Sequence, residues 1–142
     1  MENKALSTKT EIAVRFSDID SMNVVWHGNY IQYFEDGREA FGNKYKVNYL
    51  DFHKNGILTP IVKIKCDFKK PLLYGEKAII ETKYINSEAA KLIFEFIIYR
   101  SSNMEIVATG TSVQAFLDLN KVLILTTPPF FEKWKIKWGF IK

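Results

Sequence analysis

The second half of the chain consists of strand-like segments joined by short links, and this pattern restricts the possible folds more than any other feature. Apolar and polar residues alternate, and β-branched and aromatic residues are frequent, in residues 61–68, 76–85, 91–100 and 105–117. The turns at residues 86–88 and 101–103 are too short for a crossover between parallel strands, which needs about a dozen residues. We therefore expect a long antiparallel meander, preceded by a first strand at residues 10–16.

One segment between these strands has helical periodicity. Four residues fall on a single apolar stripe: Tyr30, Phe34, Gly37 and Phe41. Asn29 precedes this stripe and is a suitable N-cap. A glycine on the apolar face lowers helix propensity by about 1 kcal/mol relative to alanine, so Gly37 predicts that the helix lies very close to a sheet. Residues 48–54 predict a short second helical turn that ends at Asn55-Gly56. The pattern as a whole indicates an α+β fold with one central helix.

Length and composition indicate one globular domain in a reducing compartment. The 142 residues are 47% hydrophobic, which is sufficient for a single core. The one cysteine, Cys66, excludes an internal disulfide and a multi-cysteine metal site, and it favours the cytoplasm. A net charge of +4 is too small to indicate a nucleic-acid partner. No apolar run approaches the roughly 20 residues that span a bilayer, and residues 1–11 contain no signal core. We expect a single domain over residues 1–142, with a core at about 10–118 and a C-terminal extension at 121–142.

The C-terminal segment has two possible periodicities. Phe130, Trp134, Trp138 and Ile141 form a helical stripe, but Trp134, Ile136 and Trp138 also alternate with lysines as in a strand. A membrane-surface role is one interpretation of this Trp/Lys pattern. Packing against the same domain or a second subunit is the interpretation that we favour, and membrane association is not expected.

A polar loop before the central helix carries the candidate chemistry. It contains Asp18, Asp20 and His27. These residue types suit either catalysis or ordinary turn formation, and residue types alone do not distinguish the two. A metal site needs more ligands than this loop supplies, and the nearby serines lack the tight-turn context of a triad nucleophile.

The loop and helix together resemble the signature of the 4-hydroxybenzoyl-CoA thioesterase family, including its Tol–Pal-associated acyl-CoA thioesterases. The resemblance rests on Asp18, Asp20, the run Val24-Val25-Trp26-His27-Gly28-Asn29-Tyr30, then Tyr33-Phe34-Glu35 and Arg38. Thr59-Pro60 and the turn Tyr74-Gly75-Glu76 are also similar to family features. The resemblance implies a hotdog fold, in which a long antiparallel sheet wraps around a central helix.

The resemblance also implies roles for individual residues. Asp20 matches the catalytic carboxylate, which attacks the thioester carbonyl directly or activates water. The position of His27 lies at the helix start, where a backbone N–H polarises the thioester oxygen, and its side chain is implicated in one branch. Asp18 matches a structural aspartate. The expected substrate contacts are Trp26, Gly28, Tyr30 and Phe34, and no metal or cofactor is expected.

The implied partners are an acyl-CoA or acyl-carrier-protein substrate and further copies of the chain. The resemblance implies a homodimer or homotetramer in which the Asp20 loop of one chain lies near the helix of another. Lys69 and Lys70 are among the lysines that could contact CoA phosphates. Two alternatives to an acyl-CoA thioesterase stay open, an acyl-carrier-protein thioesterase and a non-catalytic subunit that binds acyl thioesters.

Overall fold

The computed structural model describes residues 6–141. Residues 1–5, which belong to the segment without a signal core, and Lys142 at the end of the predicted tail lie outside the described residues. The elements are β1 (Ser7–Ala13), α1 (Asn29–Tyr45), α2 (Tyr49–Lys54), β2 (Ile57–Leu58), β3 (Ile61–Phe68), β4 (Lys77–Ile85), β5 (Leu92–Arg100), β6 (Ile106–Gln114), β7 (Leu117–Asp118) and α3 (Pro129–Lys137). A single 3-10 turn, Phe16–Asp18, precedes the polar loop.

Five strands form one antiparallel sheet in the order β1-β4-β5-β6-β3. Strands β4 to β6 are the predicted meander, but β3 pairs with β6 at the far edge instead of with β4. The expectation of a simple meander is wrong at this point because residues 69–76 form a link long enough to pass along the end of the sheet. β2 and β7 form a separate two-stranded ribbon.

The first strand begins and ends three residues earlier than predicted. Its alternation continues in sequence to Phe16, but Phe16 enters the 3-10 turn and is 72% exposed. The N–H of Val14 still donates to the carbonyl of Glu76, after which the chain leaves the sheet. The strand therefore stops where the polar loop has to start.

Helix α1 packs against β1, β4 and β5, and its predicted apolar stripe is buried throughout. A Cβ at Gly37 would lie 2.4 Å from Thr82 Oγ1 and 2.6 Å from Ile80 Cγ2. The close approach of helix and sheet that Gly37 predicts is thus confirmed. The predicted N-cap is wrong: Gly28 occupies that position, and the Asn29 side chain donates to the carbonyl of Asp18. This sheet with one central helix is the hotdog arrangement.

The C-terminal segment, whose sequence pattern suits both a helix and a strand, forms helix α3. Phe131 and Trp134 are buried, and the Trp134 ring packs against Tyr84 of β4 at 5.0 Å. Its indole N–H donates to the carbonyl of Tyr45 at 2.8 Å, and Lys135 Nζ donates to the carbonyl of Ser87. The apolar side of the tail is therefore covered by the domain itself. Within residues 6–141, no helix combines the length and the apolar character needed to cross a membrane.

Candidate active site

The loop before α1 is built on a buried carboxylate, Asp18. Its Oδ2 accepts hydrogen bonds from the N–H of Arg15 at 2.9 Å and from the hydroxyl of Tyr33 at 3.0 Å. Burial, followed by the charge of Asp18, raises the pKa of Tyr33, so this hydroxyl keeps its proton and remains a donor. The carbonyl of Asp18 accepts from the N–H of Trp26 and from the side chain of Asn29. Asp18 therefore connects the first residues of the loop to its last residues and to the first two turns of α1.

Asp20 lies two residues further on, in a tight turn that presents its carboxylate. Its N–H donates to the carbonyl of Val24, and its own carbonyl accepts from the N–H of Asn23. Carboxylate Oδ1 accepts from the N–H of Met22 at 2.8 Å. Among the described residues Oδ2 has no hydrogen-bond donor, so one carboxylate oxygen is held and the other is available.

A cavity of about 320 Å³ brings Asp20 and His27 together. It is lined by Asp20, Met22, Val24, Val25, His27, Tyr30, Phe68, Lys69, Lys70 and Pro71. Tyr30 is thus a lining residue, as predicted, and burial raises the pKa of its hydroxyl. Trp26 and Gly28 adjoin His27 but do not line this cavity. Phe68 and Pro71 were not singled out in the sequence, because their place beside the helix start depends on β3 lying at the sheet edge.

The start of α1 offers backbone donors next to this cavity. The N–H groups of Trp26, Asn29 and Tyr30 already donate to carbonyls at 2.9–3.2 Å. Within the described part of the chain, the N–H groups of His27 and Gly28 have no acceptor. Unpaired N–H groups at a helix N-terminus bind anions and developing oxyanions, because the helix dipole adds a partial positive charge there.

A second cavity, of about 660 Å³, opens on the other part of α1. Phe34 lies here, buried and stacked on Phe96 with ring centroids 4.6 Å apart. The structure therefore does not bring Phe34 together with Asp20 in one chain. Polar groups from α1 and β6 line the cavity together with Ile61 and Ile64 of β3.

Arg38 fixes the wall of this larger cavity. It donates to Gln114 Oε1 at 3.0 Å and to the carbonyl of Val47 at 2.8 Å, and its guanidinium lies 4.5 Å from the centroid of the Phe94 ring. Arg38 thus ties α1 to β6 and to the link that follows the helix. Burial lowers the pKa of Arg38 to about 10, which leaves it charged at neutral pH.

The one cysteine, Cys66, has structural surroundings. Burial raises the pKa of the Cys66 thiol to about 11, so Cys66 is a neutral packing residue and not a nucleophile. Among residues 6–141, no group of three or more His, Cys, Asp or Glu side chains is arranged to hold a metal ion.

The fold and this site define a protein of the hotdog class, and comparison with known proteins gives the family. The family model described as the thioesterase-like superfamily matches residues 14–135. The chain belongs to this superfamily.

Individual relatives agree with this assignment. The chain is 36% identical over 107 residues to the "Putative acyl-CoA thioesterase YneP" of Bacillus subtilis, covering 75% of this chain and 78% of that protein. It is 24% identical over 110 residues to the acyl-acyl carrier protein thioesterase ATL3 of Arabidopsis thaliana, covering 78% of this chain and 58% of that protein. The crystal structure of Slr0204, a 1,4-dihydroxy-2-naphthoyl-CoA thioesterase from Synechocystis, superposes with a TM-score of 0.80 at 15% identity, covering 90% of this chain and 94% of that chain.

Proposed function

We propose that this protein is an acyl-CoA thioesterase whose reaction takes place in the cavity of Asp20 and His27. The observation that carries the proposal is the meeting of three features at one point. Among the described residues, a carboxylate with one oxygen that accepts no hydrogen bond, an imidazole and the unpaired backbone N–H of His27 meet at one cavity beside the start of α1. Hydrolysis of a thioester needs a nucleophile or base and stabilisation of the oxyanion, and this set supplies both.

The chemistry follows one of two routes. In the first, Asp20 Oδ2 attacks the thioester carbon, the C–S bond breaks, and water hydrolyses the resulting anhydride. In the second, Asp20 takes a proton from a water molecule that attacks the same carbon. In both routes the backbone N–H of His27, helped by the helix dipole, stabilises the oxyanion, and the imidazole of His27 protonates the departing thiolate.

A thiol-release assay tests the proposed activity. The purified protein is offered aromatic and aliphatic acyl-CoAs and the corresponding acyl-carrier proteins, and free thiol is measured over time. Release from acyl-CoA that is abolished in Asp20→Asn supports the proposal. Binding of acyl thioesters without any release would instead identify a non-catalytic binding subunit.

Lysines beside the cavity support a donor with phosphate groups. Lys69 and Lys70 line the cavity. Lys70 Nζ lies 3.1 Å from Glu105 Oε2, whereas Lys69 forms no ion pair among the described residues, so Lys69 is the better candidate to bind a phosphate. CoA and the phosphopantetheine of a carrier protein share this phosphate chemistry. An acyl-carrier-protein donor stays the alternative, and a preference of more than about tenfold in kcat/KM for the carrier-protein substrate would favour it.

We further infer that two copies pair through β3. The edge of β3 that faces away from β6 has no strand partner among the described residues, and Ile61, Val62, Ile64 and Phe68 on it are exposed. Such an edge is a template for another strand. Antiparallel pairing centred on Cys66 sets Lys65 opposite the partner's Asp67, whereas pairing centred on Lys65 sets the two copies of Lys65 opposite each other. The charges of β3 therefore favour the register centred on Cys66.

Such pairing would complete the site. The start of one β3 would lie opposite the end of the other, because antiparallel strands related by a two-fold axis run past each other. Ile61 and Ile64 line the larger cavity, whereas Phe68 and Lys69 line the Asp20 cavity. The larger cavity of one copy would therefore adjoin the Asp20 cavity of the other and receive the acyl group, and Phe34 would contact substrate from the partner's side.

Two broader features belong to the same proposal. We infer one domain over the whole chain, because α3 packs on β4 and on the end of α1 through Trp134.

We also infer a cytoplasmic location from the single cysteine, which needs no oxidising compartment. Membrane association and nucleic-acid binding are not part of the proposal.

A further inference from the structure

The side chain of His27 is exposed and has two aromatic rings as neighbours. Among the described residues, its side chain has no hydrogen-bond partner. Its ring centroid lies 5.1 Å from that of Trp26 at an interplanar angle of 46°, and 6.3 Å from that of Phe68 at 81°. A group that transfers protons works only when its ring is oriented, so these two aromatic side chains are the available means of orientation.

The indole of Trp26 packs directly against Gly28. A Cβ at Gly28 would lie 2.2 Å from Cζ3, 2.4 Å from Cη2 and 2.7 Å from Cε3 of the Trp26 indole. Gly28 has a φ of −63°, which every residue adopts easily, so backbone conformation does not require glycine here. The space for the indole does require it. The consecutive residues Trp26, His27 and Gly28 thus form one packed unit at the start of α1.

The exposure of Trp26 excludes a simple core role. The side chain is 49% exposed, and it is absent from the lining of the Asp20 cavity. The indole therefore contacts His27 from outside the lining of the cavity, whereas Phe68 is part of that lining. The other polar groups that line the cavity with His27 are Asp20, Tyr30, Lys69 and Lys70.

We propose that Trp26 is a positioning residue, whose indole, seated on Gly28, directs the imidazole of His27 toward Phe68 and the Asp20 cavity. The catalytic consequence rests on the proposed thioesterase function, but the orientation of the ring does not. Substitution of Gly28 by alanine displaces the indole without removing it, and substitution of Trp26 by alanine removes it.

Proton NMR of the ring hydrogens of His27 tests the orientation without any substrate. The chain has two histidines, His27 and His53, so a His53→Gln variant assigns both sets of resonances. Loss of the indole changes the His27 chemical shifts whatever the orientation of the imidazole, so the readout is the nuclear Overhauser effect between the ring hydrogens of His27 and Phe68. We expect this effect to weaken in Trp26→Ala and in Gly28→Ala. Tyr74→Ala serves as the matched control, since Tyr74 is 58% exposed and packs edge-on against Phe16. An unchanged His27–Phe68 effect in both test variants would overturn the proposal.

A double-mutant cycle tests the effect on turnover. We expect Trp26→Ala and Gly28→Ala each to lower kcat about tenfold with little change in KM, because a misplaced proton donor costs rate and not binding. Gly28→Ala should lower kcat no further when Trp26 is already alanine, since the clash is then absent. Equal losses in both backgrounds would assign the effect to the helix start and overturn the proposal. If the wild-type protein hydrolyses no thioester, the proposed function fails, and the NMR result alone decides the role of Trp26.

Discussion

Asp18 and Asp20 show how two equal side chains two residues apart take different roles. Asp18 is 4% exposed, and its carboxylate is occupied by Arg15 and by the hydroxyl of Tyr33. Asp20 is half-buried and binds one backbone N–H. A carboxylate saturated by donors is a poor nucleophile and a structural anchor, whereas a carboxylate with a free oxygen beside a cavity can react.

At this scale we predict the outcome of Asp20→Asn. The amide oxygen still accepts from the N–H of Met22, so the loop keeps its shape, while the nucleophile or base is lost. We expect kcat for thiol release to fall by about 100- to 10,000-fold with no change in melting temperature. A variant that keeps wild-type kcat would remove Asp20 from the mechanism.

Asp18→Asn is the contrasting variant. The amide NH₂ group accepts no hydrogen bond, so at least one of the donors that now bind the carboxylate loses its acceptor in a buried place. We expect this variant to lower the free energy of unfolding by about 1–3 kcal/mol. Loss of stability in Asp18→Asn and loss of rate in Asp20→Asn, measured by urea unfolding and by turnover, would separate the two roles. Equal stability losses in both variants would contradict the division.

At the scale of elements, the contact between α1 and the sheet depends on Gly37, which has no side chain. Gly37→Ala gains about 1 kcal/mol of helix propensity but places a methyl group against Thr82 and Ile80. We expect overpacking to outweigh the gain and lower the free energy of unfolding by about 1–3 kcal/mol. Thr82 Oγ1 is buried without a hydrogen-bond partner among residues 6–141, so Gly37→Ala/Thr82→Ala should recover part of that loss, while the contact with Ile80 remains. Purely additive losses in urea unfolding would argue against the contact.

Helix α3 is the second element with a testable role. Trp134 is 5% exposed and Ile136 is 48% exposed on the same helix. We expect Trp134→Ala to lower the free energy of unfolding by about 3–5 kcal/mol, and Ile136→Ala to change it by about 0.5 kcal/mol or less. If both variants unfold like the wild type in denaturant, α3 is not part of the cooperative unit and the single-domain inference fails.

At the scale of the whole molecule, one chain has the proposed catalytic groups and the larger cavity at different places along β3. Subunit complementation tests whether two chains bring them together. Asp20→Asn disables one cavity, and Gln32→Trp, at an exposed position of α1, fills the mouth of the other. We expect each variant alone to be nearly inactive. A mixture refolded together should recover about a quarter of wild-type activity, because half of the dimers are mixed and each contains one intact site.

Three results would contradict this arrangement. The mixture could stay as inactive as its parents, which would place the whole site in one chain. Gln32→Trp could keep full activity, which would exclude the larger cavity from substrate binding. Light scattering could give the mass of a monomer at working concentrations, which would exclude pairing through β3.

The sequence by itself determined most of the long elements and the polar loop of this protein. Periodicity located β3 to β6 and α1, and β1 to within three residues, and Gly37 predicted the close helix–sheet contact, because these signals arise between residues a few positions apart. It did not predict β2 or separate β7 from β6. The resemblance of the loop and helix start to a family selected Asp20 and His27, and both line one cavity. Turn chemistry and helix periodicity need no knowledge of the rest of the chain.

The tertiary structure decided what depends on residues far apart in sequence. Sheet order placed β3 at the edge, which set Phe68 beside His27 and left Phe34 in a different cavity. Packing of α3 on Tyr84 settled a tail whose own pattern suited a helix and a strand equally. Asn29 does not cap α1, and its side chain donates instead to the carbonyl of Asp18 in the preceding loop. Each of these outcomes is a contact between elements, and the free energy of such contacts is fixed only when the core is packed.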